Sequence, residues 1–306
     1  MILRGPGFWL KAARAPFFTG SLAPIAVGTA TAFYEIGAIS WPVALLSLLA
    51  LICLHAGANL ANDYYDHISA NDEVNVSYAT PFTGGSRLIQ RGVVRPAEIL
   101  IASLVSLALG AAIGLYLVRI AGWPILALGI IGGVTGFCYT APPLKLGYRG
   151  VGEIFIFLDF GLLPVLGAHY VQARAFSSGA AVAGVCVGLL MTNVLWINQF
   201  QDAEADAAVG KLHWVVRLGW RRSARVHAAL FALAYGTIVI GVATGALPAW
   251  AMLGLLSAPL AVRAACVSSR CYDQLDRLTP ANVATIGVHL LTSLLLALGI
   301  AIGGLS

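Results

Sequence analysis

The stretch "WPVALLSLLALICLHAGANLANDYYDHISANDE", residues 41–73, joins two opposite compositions end to end. Residues 41–61 carry no charge, while the last eleven positions hold Asp63, Asp66, Asp72 and Glu73. An uncharged run of that length matches the roughly 20 residues that take a helix across a bilayer, so the acids mark the place where it leaves the membrane. Only 13 of the 306 residues are acidic. Four of them in eleven positions therefore ask for a chemical cause.

The rest of the chain repeats the apolar half of this pattern. Hydrophobic residues make up 59% and charged residues 10% of the sequence, with a mean hydropathy of +0.86, far from the roughly one-quarter charged composition of soluble domains. The reading is an all-α polytopic membrane protein, one transmembrane domain over residues 1–306. Nine transmembrane helices are expected, at 17–39, 42–62, 97–118, 122–141, 152–172, 179–200, 225–245, 248–267 and 281–304. Short breaks with turn chemistry separate them, such as "APP" at 141–143 and "RAFSSG" at 174–179. Under that count 16 of the 18 Lys and Arg fall on one side and only Arg119 and Arg174 on the other. Basic residues near helix ends prefer the cytoplasm, which gives N-in/C-out. The expected location is the cell inner (plasma) membrane, with membrane lipids as neighbours. A pI near 9.1 then describes a basic cytoplasmic face suited to anionic headgroups or an anionic substrate, and nucleic acid is not implied. The five cysteines show no CxxC spacing and are read as small free thiols.

A second acidic cluster, "NVLWINQFQDAEADAAVGK" at 193–211, closes the sixth apolar segment as the first closes the second. By the topology both end on the cytoplasmic side, and together they hold 7 of the 13 acids. Asn59, Asp63 and Asp66 stand at i, i+4 and i+7, and Asn198, Asp202 and Asp206 at i, i+4 and i+8, so each trio lies along one face of a helix end. Each offers an amide oxygen and two carboxylates. Mg²⁺ takes one or two carboxylates and shares its remaining positions between water and substrate phosphates. Solvated helix ends would explain one such Asp, but two matched clusters at a membrane edge favour a functional site. Basic residues stand between the acids: Arg87 in "TPFTGGSRLIQRG", Lys145 in "YTAPPLKLGYRG" and Lys211 in "VGK". Arginine suits phosphate as a bidentate donor, while "TGGSR" lacks the spacing of a nucleotide-binding P-loop. Carboxylates for Mg²⁺ beside cations, all opening into a hydrophobic bundle, describe a site for an isoprenyl diphosphate.

"NDYYDHISAND" and "NQFQDAEADAAVGK" resemble the paired aspartate-rich motifs of the UbiA-type intramembrane prenyltransferases. The resemblance continues through "TGGSRLIQRG", "YTAPPLKLGYRGVGEIFIFLDFGLLPVLGAHYVQ" and "VVRLG", and within the superfamily it is greatest to the branch that prenylates 1,4-dihydroxy-2-naphthoate for menaquinone. It implies Mg²⁺-dependent transfer of a polyprenyl group from its diphosphate to an aromatic acceptor, at an active site opening to the cytoplasmic side. Asp63, Asp66, Asp202 and Asp206 would bind Mg²⁺, with Asn59, Asn62 and Asn198 in support and Asp72 a further contact. Arg87, Lys145 and Lys211 would hold diphosphate oxygens, and Tyr139 would face an allylic cation. Two departures stand out: "GKLHW" puts Leu212 where relatives carry a basic residue, and Asp159 interrupts a segment that relatives keep apolar. Asp159 is either a buried acid hydrogen-bonded between helices or a group that orients the acceptor or takes its proton.

Two rival readings use the same acids. In a cation-coupled transporter they would bind the coupling ion, although such sites sit near the bilayer midplane on broken helices rather than at helix ends on one side. In a terpene cyclase the diphosphate would ionise in the same way and the chain's own double bonds would trap the cation.

Overall fold

The structure is a computed structural model that describes residues 5–76, 78 and 82–305, all-helical apart from turns and connections. Among the described residues nine helical segments form the bundle: α1 Thr19–Ile36, α2 Trp41–Ile68, α3 Pro96–Ala121, α4 Trp123–Phe137, α5 Gly152–Ala173, α6 Ser178–Ala208, α7 Trp220–Ala243, α8 Ala249–Arg270 and α9 Thr279–Gly303. Their starts follow local chemistry. Proline lies in the first turn of α2, α3, α4 and α9, where a missing N–H costs nothing. The Ser177 hydroxyl accepts the Ala180 N–H at 3.0 Å and caps α6.

The expectation of nine spans is not met by length and composition, which qualify seven of these segments among the described residues. The other two fall short for different reasons. Helix α4 has 15 residues, about 22 Å of helix against a hydrocarbon core of about 30 Å. Helix α1 has 18 residues, eleven of them buried, including Gly20, Ser21, Gly28, Thr29 and Thr31. A helix enclosed by others is under no pressure to be as apolar as one facing lipid, so its polar and small residues lower its hydropathy without opposing its place in the bundle.

Helix α6 is the axis of the bundle: 72% of its most apolar stretch is buried, against 17% for α3. Around it the principal core joins Val27, Val165, Val187, Leu190, Phe231, Ile238, Val288 and Ile300, drawn from four other helices as well as α6. Backbones come very close where α5 crosses α6. A Cβ at Gly161 would fall 2.1 Å from Gly188 Cα, so neither helix could approach the other as it does with a larger residue there. Outside, Leu104, Leu109, Leu115, Ile130, Ile240 and Leu298 are exposed, as expected of a surface that faces lipid. A second layer of short elements, Pro6–Ala12, Asn71–Val74 and Trp214–Leu218, lies beyond the ends of α2 and α6. These two ends carry the acids.

Candidate active site

The ends of α2 and α6 face one another across a lysine. Asp66 is 4% exposed and Asp206 1%, and Lys211 Nζ sits between them, 3.8 Å from Asp66 Oδ2 and 3.4 Å from Asp206 Oδ1. Burial works against the Lys211 charge, but Asp206 and Asp66 outweigh it and hold its pKa well above the ordinary lysine value. Asp66 also accepts from Asn62 Nδ2 at 3.0 Å and faces the Tyr148 hydroxyl at 3.4 Å. Burial, with Asp66 adding its charge, pushes the Tyr148 phenol up to about 12, so it stays neutral.

The segment between α2 and α3 closes over the two helix ends. The Asn71 amide nitrogen donates to Asp206 Oδ1 at 2.8 Å and that of Asn75 to Asp202 Oδ1 at 2.6 Å. The oxygens of both amides are left buried without a hydrogen-bond partner among the described residues. Asp63 is ion-paired with Arg14 and accepts the Ser86 backbone N–H at 3.2 and 3.3 Å. Gly85, at φ +73°, lies so close that a Cβ would stand 3.1 Å from both Asp63 Oδ1 and Asp72 Oδ2. That left-handed conformation and the crowding both demand glycine. Burial, with Asp66 and Asp63 adding repulsion, pushes the Asp72 carboxyl up to about 8. His213 is fixed from both ends: its Nδ1 accepts the Val216 N–H at 3.4 Å, so Nε2 carries the proton it gives to Asp206 Oδ2 at 3.0 Å.

These groups surround a cavity of about 190 Å³ lined by Arg14, Asn59, Asn62, Asp66, Asn71, Asp72, Asn75, Tyr139, Asn198, Asp202, Asp206 and Lys211 among others. Most of the residues expected from the sequence are therefore brought together. Asp63 stands behind the lining, paired to Arg14 on it, and Asn59 and Asn198 have partners of their own, the Ala13 carbonyl at 3.0 Å and Asn282 Nδ2 at 2.8 Å. Arg87 and Lys145 lie outside this lining. The Arg87 guanidinium donates to the carbonyls of Asp72 and Asn75 and stacks 3.9 Å from the Tyr78 ring. It ties down the loop that carries the two asparagines. Lys145 Nζ sits 5.3 Å from the centre of the Tyr148 ring. Where the sequence suggested a missing contact, Leu212 is exposed and its N–H donates to the Tyr148 carbonyl at 3.0 Å. Sequence reasoning passed over Arg14, Asn71, Asn75 and His213. Arg14 had counted only as a topological charge, and the asparagines lie within two residues of acids already noted, Asp72 and Glu73.

A second cavity, about 530 Å³, runs among α2, α3, α4 and α5 and is lined by Leu51, Leu54, Leu107, Leu126, Leu163 and other apolar residues. The two cavities share His55, Ala58, Gly136, Asp159 and Phe160. An acidic and basic chamber thus opens into an apolar one, which is the arrangement an amphiphile with an anionic head requires.

Comparison with known proteins accords with this geometry. The UbiA prenyltransferase family model matches residues 21–286. A 1,4-dihydroxy-2-naphthoate octaprenyltransferase of Mycobacterium tuberculosis is 35% identical over 84% of this chain and 84% of its own length. One of Escherichia coli is 33% identical over 95% and 94%, and a 2-carboxy-1,4-naphthoquinone phytyltransferase of Synechocystis 29% identical over 97% and 94%. In fold, the chain is similar to a UbiA homolog from Aeropyrum pernix (TM-score 0.67, 18% identity, 94% of this chain and 98% of that one). It is also similar to a UbiA homolog from Archaeoglobus fulgidus bound to DMAPP and Mg²⁺ (TM-score 0.64, 17% identity, 94% and 98%). With a family match over most of its length and an acidic chamber at the ends of two bundle helices, the chain belongs to the UbiA prenyltransferase family and is a multi-pass membrane prenyltransferase.

Proposed function

We propose that the protein transfers a polyprenyl group from an isoprenyl diphosphate to an aromatic acceptor of the 1,4-dihydroxy-2-naphthoate type, with Mg²⁺ as cofactor. The observation that carries this reading is the single chamber formed by two acidic helix ends around Lys211 and continuous with an apolar cavity. The names of the curated relatives support the naphthoate acceptor. The Mg²⁺ in a structural neighbour supports the cofactor.

The donor set here fits such an ion. Mg²⁺ prefers hard oxygen ligands and keeps positions for phosphate and water. Asp63, Asp66, Asp202 and Asp206 supply carboxylates, and the Asn71 and Asn75 side chains supply the unpartnered amide oxygens. Among the described residues no three His, Cys, Asp or Glu side chains converge, so substrate oxygens would complete the shell. Bound there, Mg²⁺ would neutralise charge on the departing diphosphate.

The protein's own groups do the rest. Lys211 and Arg14, both on the chamber wall, offer charge-assisted hydrogen bonds to diphosphate oxygens, which strengthen as the C–O bond loosens. Tyr139, its ring wedged against Gly147 and Gly152, presents a neutral aromatic face toward positive charge on the allylic carbon. Arg87 acts by holding the loop that supplies Asn71 and Asn75, and Lys145 by electrostatic attraction at the rim. The apolar cavity receives the prenyl tail and keeps water from the reacting carbon. The electron-rich ring then attacks that carbon, and loss of a proton or of CO₂ restores aromaticity.

The same reading includes nine crossings with the N-terminus and the chamber facing the cytoplasm of the inner (plasma) membrane, supported by the 16-to-2 division of basic residues. The test is incubation of purified protein and Mg²⁺ with labelled prenyl diphosphates and a panel of hydroxylated naphthoates and benzoates. Prenylated naphthoate is expected. A cyclic hydrocarbon would point to a cyclase, and prenylation of benzoates alone would move the acceptor to another class.

A further inference from the structure

Asp159 lies where the two cavities join, yet nothing in diphosphate binding calls for it. It sits in a turn of α5 wider than an α-helix, Leu158–Leu162, a feature that gathers at functional positions. Contact between Gly161 and the Gly188 backbone fixes that turn against α6. The two Asp159 oxygens lie 2.9 and 2.8 Å from the Thr135 hydroxyl. The same hydroxyl is 2.7 Å from the Ile131 carbonyl, so a single proton is shared between the carboxyl and a backbone acceptor. Among the described residues no basic side chain comes within ion-pair range of Asp159. A carboxyl with about four acceptor sites thus faces two cavities with one shared donor.

What fills that deficit must bring a hydrogen-bond donor. A prenyl tail has none, and a diphosphate offers acceptors rather than donors. Of the substrates in the proposed reaction only the acceptor carries hydroxyls. Around Asp159 the junction is lined by the small Ala58 and Gly136 and by the rings of Phe160 and His55, which stand edge to face with centroids 4.6 Å apart. We propose that Asp159 binds a ring hydroxyl of the aromatic acceptor and so places the ring between the diphosphate chamber and the apolar cavity. This inference rests on the prenyl-transfer reading above and assigns the acceptor half of the same site.

The experiment measures KM for acceptor and for prenyl diphosphate separately in wild type, Asp159→Leu and Asp159→Asn, each with a dihydroxynaphthoate and with its two monomethyl ethers. Loss of this hydrogen bond should raise the acceptor KM of Asp159→Leu several-fold, to about tenfold, with the prenyl diphosphate KM held within about twofold. Asp159→Asn, whose amide oxygen still accepts, should recover most of the loss. Methylating the hydroxyl that Asp159 holds should cost wild type a similar factor and cost Asp159→Leu almost nothing, since the partner is already gone. An acceptor KM unchanged in Asp159→Leu, both KM values rising together, or ethers that wild type uses as well as the parent would each overturn the assignment. If wild type instead forms no prenylated aromatic with any acceptor, the functional reading itself fails. The ether comparison in wild type does not depend on any variant folding.

Discussion

Replacing Lys211 with methionine removes a cation that bridges the two acidic helix ends while keeping a side chain of similar length. At 3.4 Å from Asp206 and 3.8 Å from Asp66, an effective dielectric of 20 gives about 5 and about 4 kcal/mol of attraction. Much of that is offset by the cost of burying the charges, and loss of one partner from a buried pair typically leaves a net deficit of about 3–5 kcal/mol. In detergent without metal the melting midpoint of Lys211→Met should therefore fall by roughly 10 °C. Mg²⁺ together with a non-reactive prenyl diphosphate analogue should restore part of the loss by returning positive charge to the chamber. Turnover tests the second role of the same residue. Without its charge-assisted hydrogen bond to the leaving diphosphate, kcat/KM should drop by about 10- to 100-fold. Lys211→Arg should keep more activity than the methionine variant. If Lys211→Met melts within a degree or so of wild type and turns over normally, Lys211 neither joins the clusters nor holds the substrate, and the electrostatic account of the chamber is wrong.

Two further outcomes follow from particular side chains. The Asp72 carboxyl, pushed up to about 8, keeps its proton in the folded protein over a range where the unfolded chain has already released it. The metal-free protein should accordingly lose stability as pH rises from about 4 to 8, and Asp72→Asn should remove that part of the slope. Melting curves across this range that run parallel for the two proteins would contradict it. Gly129 lines the apolar cavity and has open space where a Cβ would stand. Gly129→Phe should leave short prenyl diphosphates as good substrates and exclude long ones, read as a change in the product chain-length distribution. An unchanged distribution would place the tail elsewhere.

How much of this was legible in the sequence depends on distance along the chain. The acids at the ends of α2 and α6 announce themselves because a carboxylate beside an uncharged run is costly and locally visible. Lys211 follows directly on its cluster. Arg14 does not, because it reaches Asp63 across 49 residues through the short helix Pro6–Ala12 and a left-handed turn at Arg14 itself, φ +56°. Arg87 shows the reverse case. A guanidinium after two glycines reads equally well as a phosphate ligand or as a clamp for loop carbonyls, and only the folded loop shows it donating to Asp72 and Asn75. Asn71 and Asn75 matter for the oxygens they leave unpaired, a property of three-dimensional packing with no trace in spacing. The nine-segment count reached every long helix. It treated α1 and α4 like the rest because hydropathy windows register neither burial inside the bundle nor a helix that stops after 15 residues.

If the clusters on α2 and α6 act as one metal-diphosphate site, neither can turn over substrate without the other. Release of diphosphate from a labelled prenyl substrate, followed against Mg²⁺ concentration in wild type, Asp63→Asn and Asp202→Asn, tests it most directly. Mg²⁺-dependent release is expected in wild type and at least a hundredfold loss in each variant, although each leaves the other cluster intact. Near-normal release in either variant would contradict it, because one cluster would then suffice.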